Sequence, residues 1–211
     1  MVHKKNTPWR DAAAMIRAER SRLAALGGDA VTRQEFWEER YRETYGTLLD
    51  ERSEYGRYGV VTEYLLRMLP GGSVLDIGCG PGILAGMLQH STLTYTGIDI
   101  SATAVRMAQE RHPALREHFH HTPLEAFPGK EAYDAIVAVE ILYYLDTETF
   151  FTHCSRLLKK DGHLIVTVYD FPEGRALLPQ VMRRLHDPFR AEVYNAGKEL
   201  RWHIVAGVFS A

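Results

Sequence analysis

The segment at residues 74–82 reads Val74-Leu75-Asp76-Ile77-Gly78-Cys79-Gly80-Pro81-Gly82. Its first four residues are a short and largely apolar run, which predicts a buried strand. The run breaks into three closely spaced glycines, and residues 83–89 then have the pattern of a helix. Glycine permits a sharp backbone turn and lets a ligand lie directly against the chain. A glycine-rich turn between a strand and its helix is where an open α/β sheet binds a nucleotide.

Strands and helices alternate along the chain beyond this turn. The pattern predicts strands over residues 93–98, 117–121, 133–139 and 163–169, and helices over 102–111, 147–158 and 175–185. This alternation predicts an α/β fold with a doubly wound parallel sheet. The chain ends differently, with strands predicted over 189–194 and 201–209 on either side of a short Asn/Gly turn. Such a pair forms an antiparallel hairpin.

The spacing of the glycines indicates which nucleotide the turn would bind. The dinucleotide pattern G-x-G-x-x-G requires a glycine at position 83, where this chain has Ile83. The chain also carries a carboxylate, Asp76, two residues before the first glycine. This charge would repel a pyrophosphate but suits a ligand that carries an ammonium and a sulfonium. The electrostatics therefore favour S-adenosylmethionine (SAM) over NAD.

Four segments of the chain resemble motifs of the class I SAM-dependent methyltransferases. Residues 74–84 look like motif I nearly residue for residue, residues 96–101 like motif II, residues 133–140 like motif IV, and residues 157–165 like the turn into the fifth strand. The resemblance covers about residues 58–170. It implies a Rossmann-like, seven-stranded, mostly parallel sheet in the order 3-2-1-4-5-7-6 with an antiparallel strand 7. It also implies SAM as cofactor and S-adenosylhomocysteine as product.

The same resemblance implies which residues hold the methionine and ribose parts of SAM. Asp76, Gly78 and Gly80 would face these two parts, and Asp99, at the end of the second strand, would bind the ribose hydroxyls. Tyr41 looks like the tyrosine that relatives place near the methionine carboxylate.

On the adenine side the sequence departs from the family pattern. The resemblance implies that Ile100 packs on the adenine ring and that Leu124 lies at its edge. Many relatives have an aspartate near position 122 or 123 for the adenine amino group, and this chain has Thr122-Pro123. Thr122, Glu125 or a main-chain carbonyl would replace that aspartate, or the adenine is held less specifically.

The candidates for catalysis follow the fourth and fifth strands. Glu140 would enter the mouth of the cleft, where burial raises the pKa of a carboxyl group. It would orient an acceptor amine, take a proton, or bind only backbone or the SAM ammonium. Tyr143 and Tyr144 would contact the acceptor or belong to the core, and Asp170 would bind a cation on the acceptor. The segment 140–145 resembles the nodulation-type N-methyltransferases, which slightly favours nitrogen over oxygen as the methylated atom.

The N-terminal residues carry many aromatic side chains. A helix is predicted to start at Thr7-Pro8 and to end at Gly27-Gly28, and a second to follow it. The aromatic residues beyond the first helix are Phe36, Trp37, Tyr41, Tyr45, Tyr55 and Tyr58. We expect residues 1–57 to form a helical cap over the cleft of a SAM-binding domain at 58–211, or else simply to pack on the sheet.

The charge and the composition of the chain indicate which classes of binding partner are expected. The chain has 25 Lys+Arg and 27 Asp+Glu, for a net charge of −2, and no basic stripe interleaved with aromatic residues. Both facts argue against nucleic acid and favour a small-molecule acceptor. His118, His120 and His121 do not share one face of a strand, so no metal site is expected. No secretory signal is visible, and residues 77–98 contain proline, glycines and polar residues, so no membrane contact is expected.

The sequence thus predicts a cytoplasmic enzyme, monomeric or homodimeric, that methylates a small molecule. N-methylation is slightly favoured over O-methylation. The sequence leaves two other functions open, namely an NAD-linked oxidoreductase and a non-catalytic SAM-binding module.

Overall fold

A computed structural model of the chain describes residues 12–27, 30–45, 51–129 and 132–210. Its centre is a seven-stranded sheet with helices on both faces. The strands are β1 Gly72–Ile77, β2 Leu93–Asp99, β3 Phe119–His121, β4 Tyr133–Val139, β5 Leu158–Tyr169, β6 Leu185–Asn195 and β7 Leu200–Phe209.

The strand order is β3-β2-β1-β4-β5-β7-β6. Strands β1 to β5 pair in parallel, and β7 runs antiparallel to both β5 and β6. The predicted fold class, strand order and reversed seventh strand are therefore confirmed. The direction of winding changes between β1 and β4, and in such sheets the crevice at the carboxyl ends of these strands binds ligands.

The helices number seven in the part of the chain that the structure describes. They are α1 Ala12–Ala25, α2 Ala30–Arg40, α3 Glu51–Met68, α4 Ile83–Leu88, α5 Ala102–Arg111, α6 Thr147–Leu157 and α7 Pro172–Met182. A π-helical turn, Tyr41–Tyr45, continues α2. Within the described ranges, none of these helices combines the length and the apolar character needed to cross a bilayer.

The N-terminal predictions are only partly covered. The predicted helix start at Thr7-Pro8 lies outside the described residues. The predicted division between residues 57 and 58 falls inside α3, which runs without a break through that point. The division stays a prediction.

Several element boundaries differ from those predicted; β6, for example, starts at Leu185, four residues before the predicted position 189. The strand predicted over 117–121 is confined to β3, because a 3-10 turn over Pro113–His118 takes up its first residues and Pro113 favours that turn. Helix α7 starts at Pro172 rather than at 175, since proline is well suited to the first position of a helix. Strand β5 starts at Leu158, five residues before the predicted position 163, where it pairs with Tyr133 before a register shift.

Both faces of the central strands are buried. Along β1, Val74 packs into the apolar cluster on one face, and Leu75 and Ile77 pack into the cluster on the other. Val74 and Leu75 are fully buried. A parallel sheet covered on both faces has this pattern, and it gives the carboxyl ends of its strands a rigid support.

Candidate active site and cofactor cleft

A cavity lies at the carboxyl ends of β1, β2, β4 and β5, beneath α1 and α2. All of the predicted site residues except Asp76 and Asp170 line it. Those that do are Tyr41, Gly78, Gly80, Asp99, Ile100, Leu124, Glu140, Tyr143 and Tyr144. The strand ends thus bring together residues that are up to about a hundred positions apart in sequence.

The glycine turn, residues 78–82, forms the floor of the cavity below Tyr41. Gly78 and Gly80 have φ values of +70° and +52°, a region that favours glycine. A Cβ at Gly78 would lie 2.6 Å from the Cγ2 of Ile141, and a Cβ at Gly80 would lie 2.9 Å from the Tyr41 hydroxyl. The amide of Gly78 donates to the carbonyl of Ile98 at 2.8 Å. Conformation and space therefore both require glycine here.

Asp99 connects the end of β2 to the glycine turn. One carboxylate oxygen accepts a hydrogen bond from the Gly80 amide and the other from the Ser101 amide, both at 2.9 Å. Burial raises the pKa of Asp99 to about 6, although these two amide hydrogen bonds act to lower it. The carboxylate lines the cavity and also shapes its floor.

Asp76 does not line the cavity. Its side chain is 2% exposed and accepts a hydrogen bond from the Tyr95 hydroxyl at 2.8 Å. Burial raises the pKa of Asp76 to about 7; the Tyr95 hydrogen bond lowers it, and the nearby charge of Asp99 raises it further. Its contact with the cofactor stays a prediction. The contact seen in the structure is the hydrogen bond from Tyr95, which joins β1 to β2.

The side of the cavity predicted to hold the adenine combines apolar and polar side chains. Ile100 and Leu124 line it together with Thr122 and Glu125. The Thr122 hydroxyl donates to the carbonyl of the next residue at 3.2 Å. Glu125 forms an ion pair with Arg33 of α2 at 2.8 Å. Both side chains proposed to replace the missing aspartate are therefore engaged with the protein.

Glu140 follows β4 with a φ of +60°, an uncommon conformation for a residue other than glycine. One carboxylate oxygen accepts a hydrogen bond from the Thr167 hydroxyl at 2.7 Å, and the other accepts one from the Tyr143 hydroxyl. The Tyr143 oxygen in turn accepts from the Tyr169 amide at 2.8 Å. Burial, and then the charge of Glu140, raise the pKa of Tyr143 well above its usual value. The carboxylate is thus held in one orientation by two hydroxyl donors.

Tyr144 points toward the N-terminal helices. Its hydroxyl donates to Glu19 of α1 at 2.7 Å, and its ring meets Trp37 edge-on with centroids 4.8 Å apart. Glu19 is 5% exposed and pairs with Arg40 at 2.8 Å. Glu19 was not among the residues predicted from the sequence. The available signal was its place three residues after Ile16, on the buried face of α1.

Glu38 of α2 attaches the N-terminal helices to the sheet domain, and it was also missed. Its carboxylate accepts hydrogen bonds from the Ser101 hydroxyl at 2.8 Å, and from the Thr103 amide and hydroxyl at 3.0 and 2.6 Å. Burial acts to raise the pKa of Glu38, but these hydrogen bonds and the nearby Arg42 outweigh it and lower the pKa to about 2. No local pattern pairs Glu38 with the start of α5.

The opposite end of the cavity, below α3, contains a buried arginine. Arg57 is 7% exposed and lines the cavity. Its guanidinium lies 5.0 Å from the ring centroid of Trp202 in β7 and 5.4 Å from that of Tyr58. Of these three residues, only Tyr58 was noted from the sequence, as one of the N-terminal aromatic residues; Arg57 and Trp202 were not predicted.

The remaining candidates lie elsewhere. Asp170 does not line the cavity; it accepts from His203 at 3.0 Å and pairs with Arg175 at 2.5 Å. The expectation that it binds an acceptor cation is therefore not supported by its position. His121 bonds the carbonyl of Ile100 at 3.1 Å. In the described ranges, no group of three or more His, Cys, Asp or Glu side chains is arranged to hold a metal ion.

Comparisons with known proteins point to one family. Residues 75–166 match the family model described as a methyltransferase domain. The chain is 34% identical over 116 residues to the mitochondrial ubiquinone biosynthesis O-methyltransferase of Bos taurus, an overlap of 51% of this chain and 31% of that protein.

Two solved structures resemble the chain in fold. One is the 1,6-didemethyltoxoflavin-N1-methyltransferase of Burkholderia thailandensis, with a TM-score of 0.70, 14% identity and 91% of both chains covered. The other is the N-methyltransferase NodS of Bradyrhizobium japonicum WM9, with a TM-score of 0.64, 20% identity, and 75% of this chain and 88% of that one covered. Both were crystallised with S-adenosylhomocysteine.

The overlap with curated proteins is partial, since the chain spans about a third to a half of the length of the curated relatives it matches. The matched segment nevertheless includes the glycine turn, Asp99 and Glu140. Residues 75–166 thus match the model of a methyltransferase domain, and the protein has the Rossmann-like fold of methyltransferases of known structure.

Proposed function

We propose that the protein is a SAM-dependent methyltransferase that acts on a small-molecule acceptor. One observation carries the proposal: the glycine turn, Asp99 and Glu140 line one cavity at the strand ends. The turn supplies backbone without side chains, Asp99 supplies a carboxylate beside it, and Glu140 supplies a second carboxylate at the end of β4. The methyltransferase domain match covers all three.

The residues present fit the cofactor. The φ of Gly80, +52°, favours glycine, so the turn presents backbone without a side chain to the cavity at this point. In the proposal the turn holds the methionine and ribose parts, and Asp99 binds the ribose hydroxyls. Ile100 and Leu124 enclose the adenine with apolar surface, and Tyr41 lies near the methionine carboxylate.

The chain's own contribution to the reaction is to position the acceptor and to exclude water. SAM, when bound, supplies a methyl group on a positively charged sulfur. Glu140 accepts two hydrogen bonds from the protein. A carboxylate has about four acceptor positions, and in the proposal Glu140 also accepts a hydrogen bond from an N–H or O–H of the methyl acceptor. The raised pKa of Tyr143 keeps its hydroxyl protonated, so it continues to donate to Glu140.

Nitrogen is slightly favoured as the methylated atom. An amine needs only to be neutral to accept a methyl group, whereas an alcohol usually benefits from a base. Glu140 is held by two hydroxyl donors, which suits it to orient an acceptor amine. O-methylation is the alternative, and the names of the curated relatives support it. The proposal also places the protein in the cytoplasm, as a monomer or homodimer, with residues 1–57 as a helical cap.

Ligand-induced thermal stabilisation tests the cofactor assignment. S-adenosylhomocysteine should raise the melting temperature and NAD, at the same concentration, should not. Asp99→Ala should weaken S-adenosylhomocysteine by about 1–3 kcal/mol, because it removes a hydrogen-bonding carboxylate from the site. Asp134→Asn, at the opposite end of β4, is the matched control and should bind normally. Stabilisation by NAD alone, or unchanged affinity in Asp99→Ala, would contradict the assignment.

Transfer of a labelled methyl group separates an enzyme from a binding module. Pools of small amines and of small phenols are incubated with the protein and labelled SAM. We expect transfer to at least one pool, and more to the amines. Tight binding of S-adenosylhomocysteine with transfer to neither pool would support a non-catalytic module instead.

A further inference from the structure

We propose that strand β6 pairs in antiparallel orientation with β6 of a second copy of the chain, so that two molecules form a symmetric dimer. The pairing is centred on Ala191 and joins the two sheets edge to edge. This inference does not depend on the proposed function, because it concerns the edge of the sheet and not the cofactor cleft.

The two edges of the sheet differ in length. At one edge β3 has three residues, Phe119–His121, and at the other β6 has 11, Leu185–Asn195. In the described part of the chain, β6 pairs with β7 alone. Strands usually have about 5–6 residues, and a long edge strand offers backbone donors and acceptors to another chain unless the edge is blocked. The long edge is therefore the candidate interface.

Only the first residues of β6 are blocked. Pro188 has no amide to donate, and Asp187 has a φ of +43°. The pairing of β6 with β7 shifts register between His186 and Phe189. From Phe189 to Asn195 the pairing is regular. The regular stretch can accept a second strand on its free side, and the irregular start cannot.

The charges on β6 select one register. In a two-fold antiparallel pair centred on Ala191, Arg190 lies opposite Glu192 of the second copy, and symmetry makes this ion pair twice. A pair centred on Arg190 or on Glu192 would place like charges directly opposite each other, which destabilises a sheet. A centre between two residues would match opposite faces of the strands and is excluded by the alternation of side chains.

The carboxylate of Glu192 can take part in this ion pair. Its side chain is 54% exposed, and it already lies 3.2 Å from a guanidinium nitrogen of Arg201 and 3.4 Å from Nδ1 of His203. These contacts hold the carboxylate at the edge of the sheet. A carboxylate has about four acceptor positions, so an arginine of the second copy can be added to them.

The other face of β6 is complementary in apolar character. Phe189 is 42% exposed, although its ring centroid lies 5.5 Å from that of Tyr64 in α3. Val193 is partly buried against the same apolar cluster as Tyr64. In the register centred on Ala191, Phe189 lies opposite Val193 of the second copy. Aromatic and β-branched residues are a favourable cross-strand pair, so the dimer would cover an aromatic ring that the single chain leaves exposed.

Sedimentation equilibrium of charge variants tests the ion pair. We expect the wild type to have twice the 24.0 kDa mass of one chain at tens of micromolar protein. Arg190→Glu places like charges opposite each other and should weaken dimerisation by about tenfold or more. The control is Arg106→Glu, an exposed arginine of α5 beside the opposite edge of the sheet, and it should dimerise as the wild type does.

Disulfide cross-linking tests the register. In the proposed pair the two copies of position 191 lie opposite each other with Cα atoms about 4.5–5.5 Å apart, within the range of a disulfide. Ala191→Cys should therefore give a covalent dimer under mild oxidation. The control is His186→Cys, exposed on the same strand, whose two copies would lie about 30 Å apart. The native Cys79 and Cys154 are buried.

Three results would each overturn the proposal. They are a monomeric wild type, unchanged dimerisation of Arg190→Glu, and cross-linking of Ala191→Cys that is no greater than that of His186→Cys. Melting temperatures show whether each variant folds. If Arg190→Glu does not fold, Arg190→Gln replaces it and should also weaken dimerisation. If Ala191→Cys does not fold, the sedimentation result decides.

Discussion

The floor of the cavity is the glycine turn, and its cover is formed by helices α1 and α2. The two are held in place by different kinds of contact. In the floor, Asp99 accepts a hydrogen bond from the Gly80 amide, a contact between residues 19 positions apart on consecutive strand–turn units. In the cover, Glu38 bonds Thr103 across 65 positions, and Tyr144 bonds Glu19 across 125. The floor depends on backbone geometry that the local sequence dictates. The cover depends on polar side chains that meet only after the chain has folded.

The largest effect on the free energy of unfolding is expected from a substitution in β1, the strand that leads into the glycine turn. Leu75 in β1 is fully buried in the cluster that packs against one face of the sheet. Leu75→Ala should lower the free energy of unfolding by about 3 kcal/mol, because it leaves a cavity that the sheet cannot close. Leu26→Ala, at the exposed end of α1, should cost less than about 0.5 kcal/mol. Urea denaturation measures both, and similar losses would contradict the idea of a rigid floor.

The second prediction concerns pH and the carboxyl group behind the floor. The pKa of Asp76 is raised from 3.8 to about 7, so between these values the folded protein binds more protons than the unfolded chain. The free energy of unfolding should therefore fall as pH rises from about 4 to 7. In Asp76→Asn, which keeps an acceptor for Tyr95, this fall should be smaller by about 2 kcal/mol.

Denaturation at pH 5 and pH 8 measures that difference. Asp134→Asn is the matched control. Although partial burial opposes ionisation of Asp134, hydrogen bonds from Lys159 and Ser73 lower its pKa, so it titrates below this pH window. Its pH dependence should match the wild type. Equal pH dependence in Asp76→Asn and the wild type would show that Asp76 is ionised throughout.

A smaller effect is expected in the cover. Glu38→Gln should lower the free energy of unfolding by about 1–2 kcal/mol at pH 7, because it weakens the charge-assisted hydrogen bonds to Ser101 and Thr103. The pKa of Glu38 is lowered from 4.5 to about 2. Its contribution is therefore complete above about pH 4.5 and is lost as pH falls toward 2.

Amide hydrogen exchange of α2 reads the local effect of that substitution. Exchange there should become faster in Glu38→Gln while exchange in β1 and β4 stays the same. The control is Glu39→Gln, at the next position of α2. The carboxylate of Glu39 pairs with the exposed Arg22, so this substitution should change the exchange rates little. Equal acceleration in the floor and the cover would mean that the two open as one unit.

The sequence was informative where a residue type has one physical use. The floor could be identified from the glycines at 78 and 80, because few other residues adopt the positive φ found there. The acid at the end of β2, which accepts a hydrogen bond from the Gly80 amide, also identified it. The strand order followed from the alternation of strands and helices together with the family resemblance. Boundaries were less certain, since Pro113 and Pro172 changed where β3 and α7 begin.

The sequence was uninformative where a residue's role depends on a distant partner. Glu19 and Arg57 are charged residues on helices, and most such residues are solvated. Their burial depends on packing against Tyr144 and Trp202, which lie more than a hundred positions away. Asp76 shows the converse, because a residue that matches a motif is engaged with Tyr95 and lies off the cavity wall.

The position of β7 has a consequence for the order in which the protein assembles. Leu200–Phe209 follows all the other described strands in sequence, yet it lies between β5 and β6 and supplies Trp202 to the cavity. Until these residues leave the ribosome, β5 and β6 have no partner on the sides that β7 will occupy. Unpaired strand edges invite association with other chains, so the nascent protein is most prone to aggregate before residues 200–209 have left the ribosome. The cavity wall is thus complete only when β7 has paired with β5 and β6.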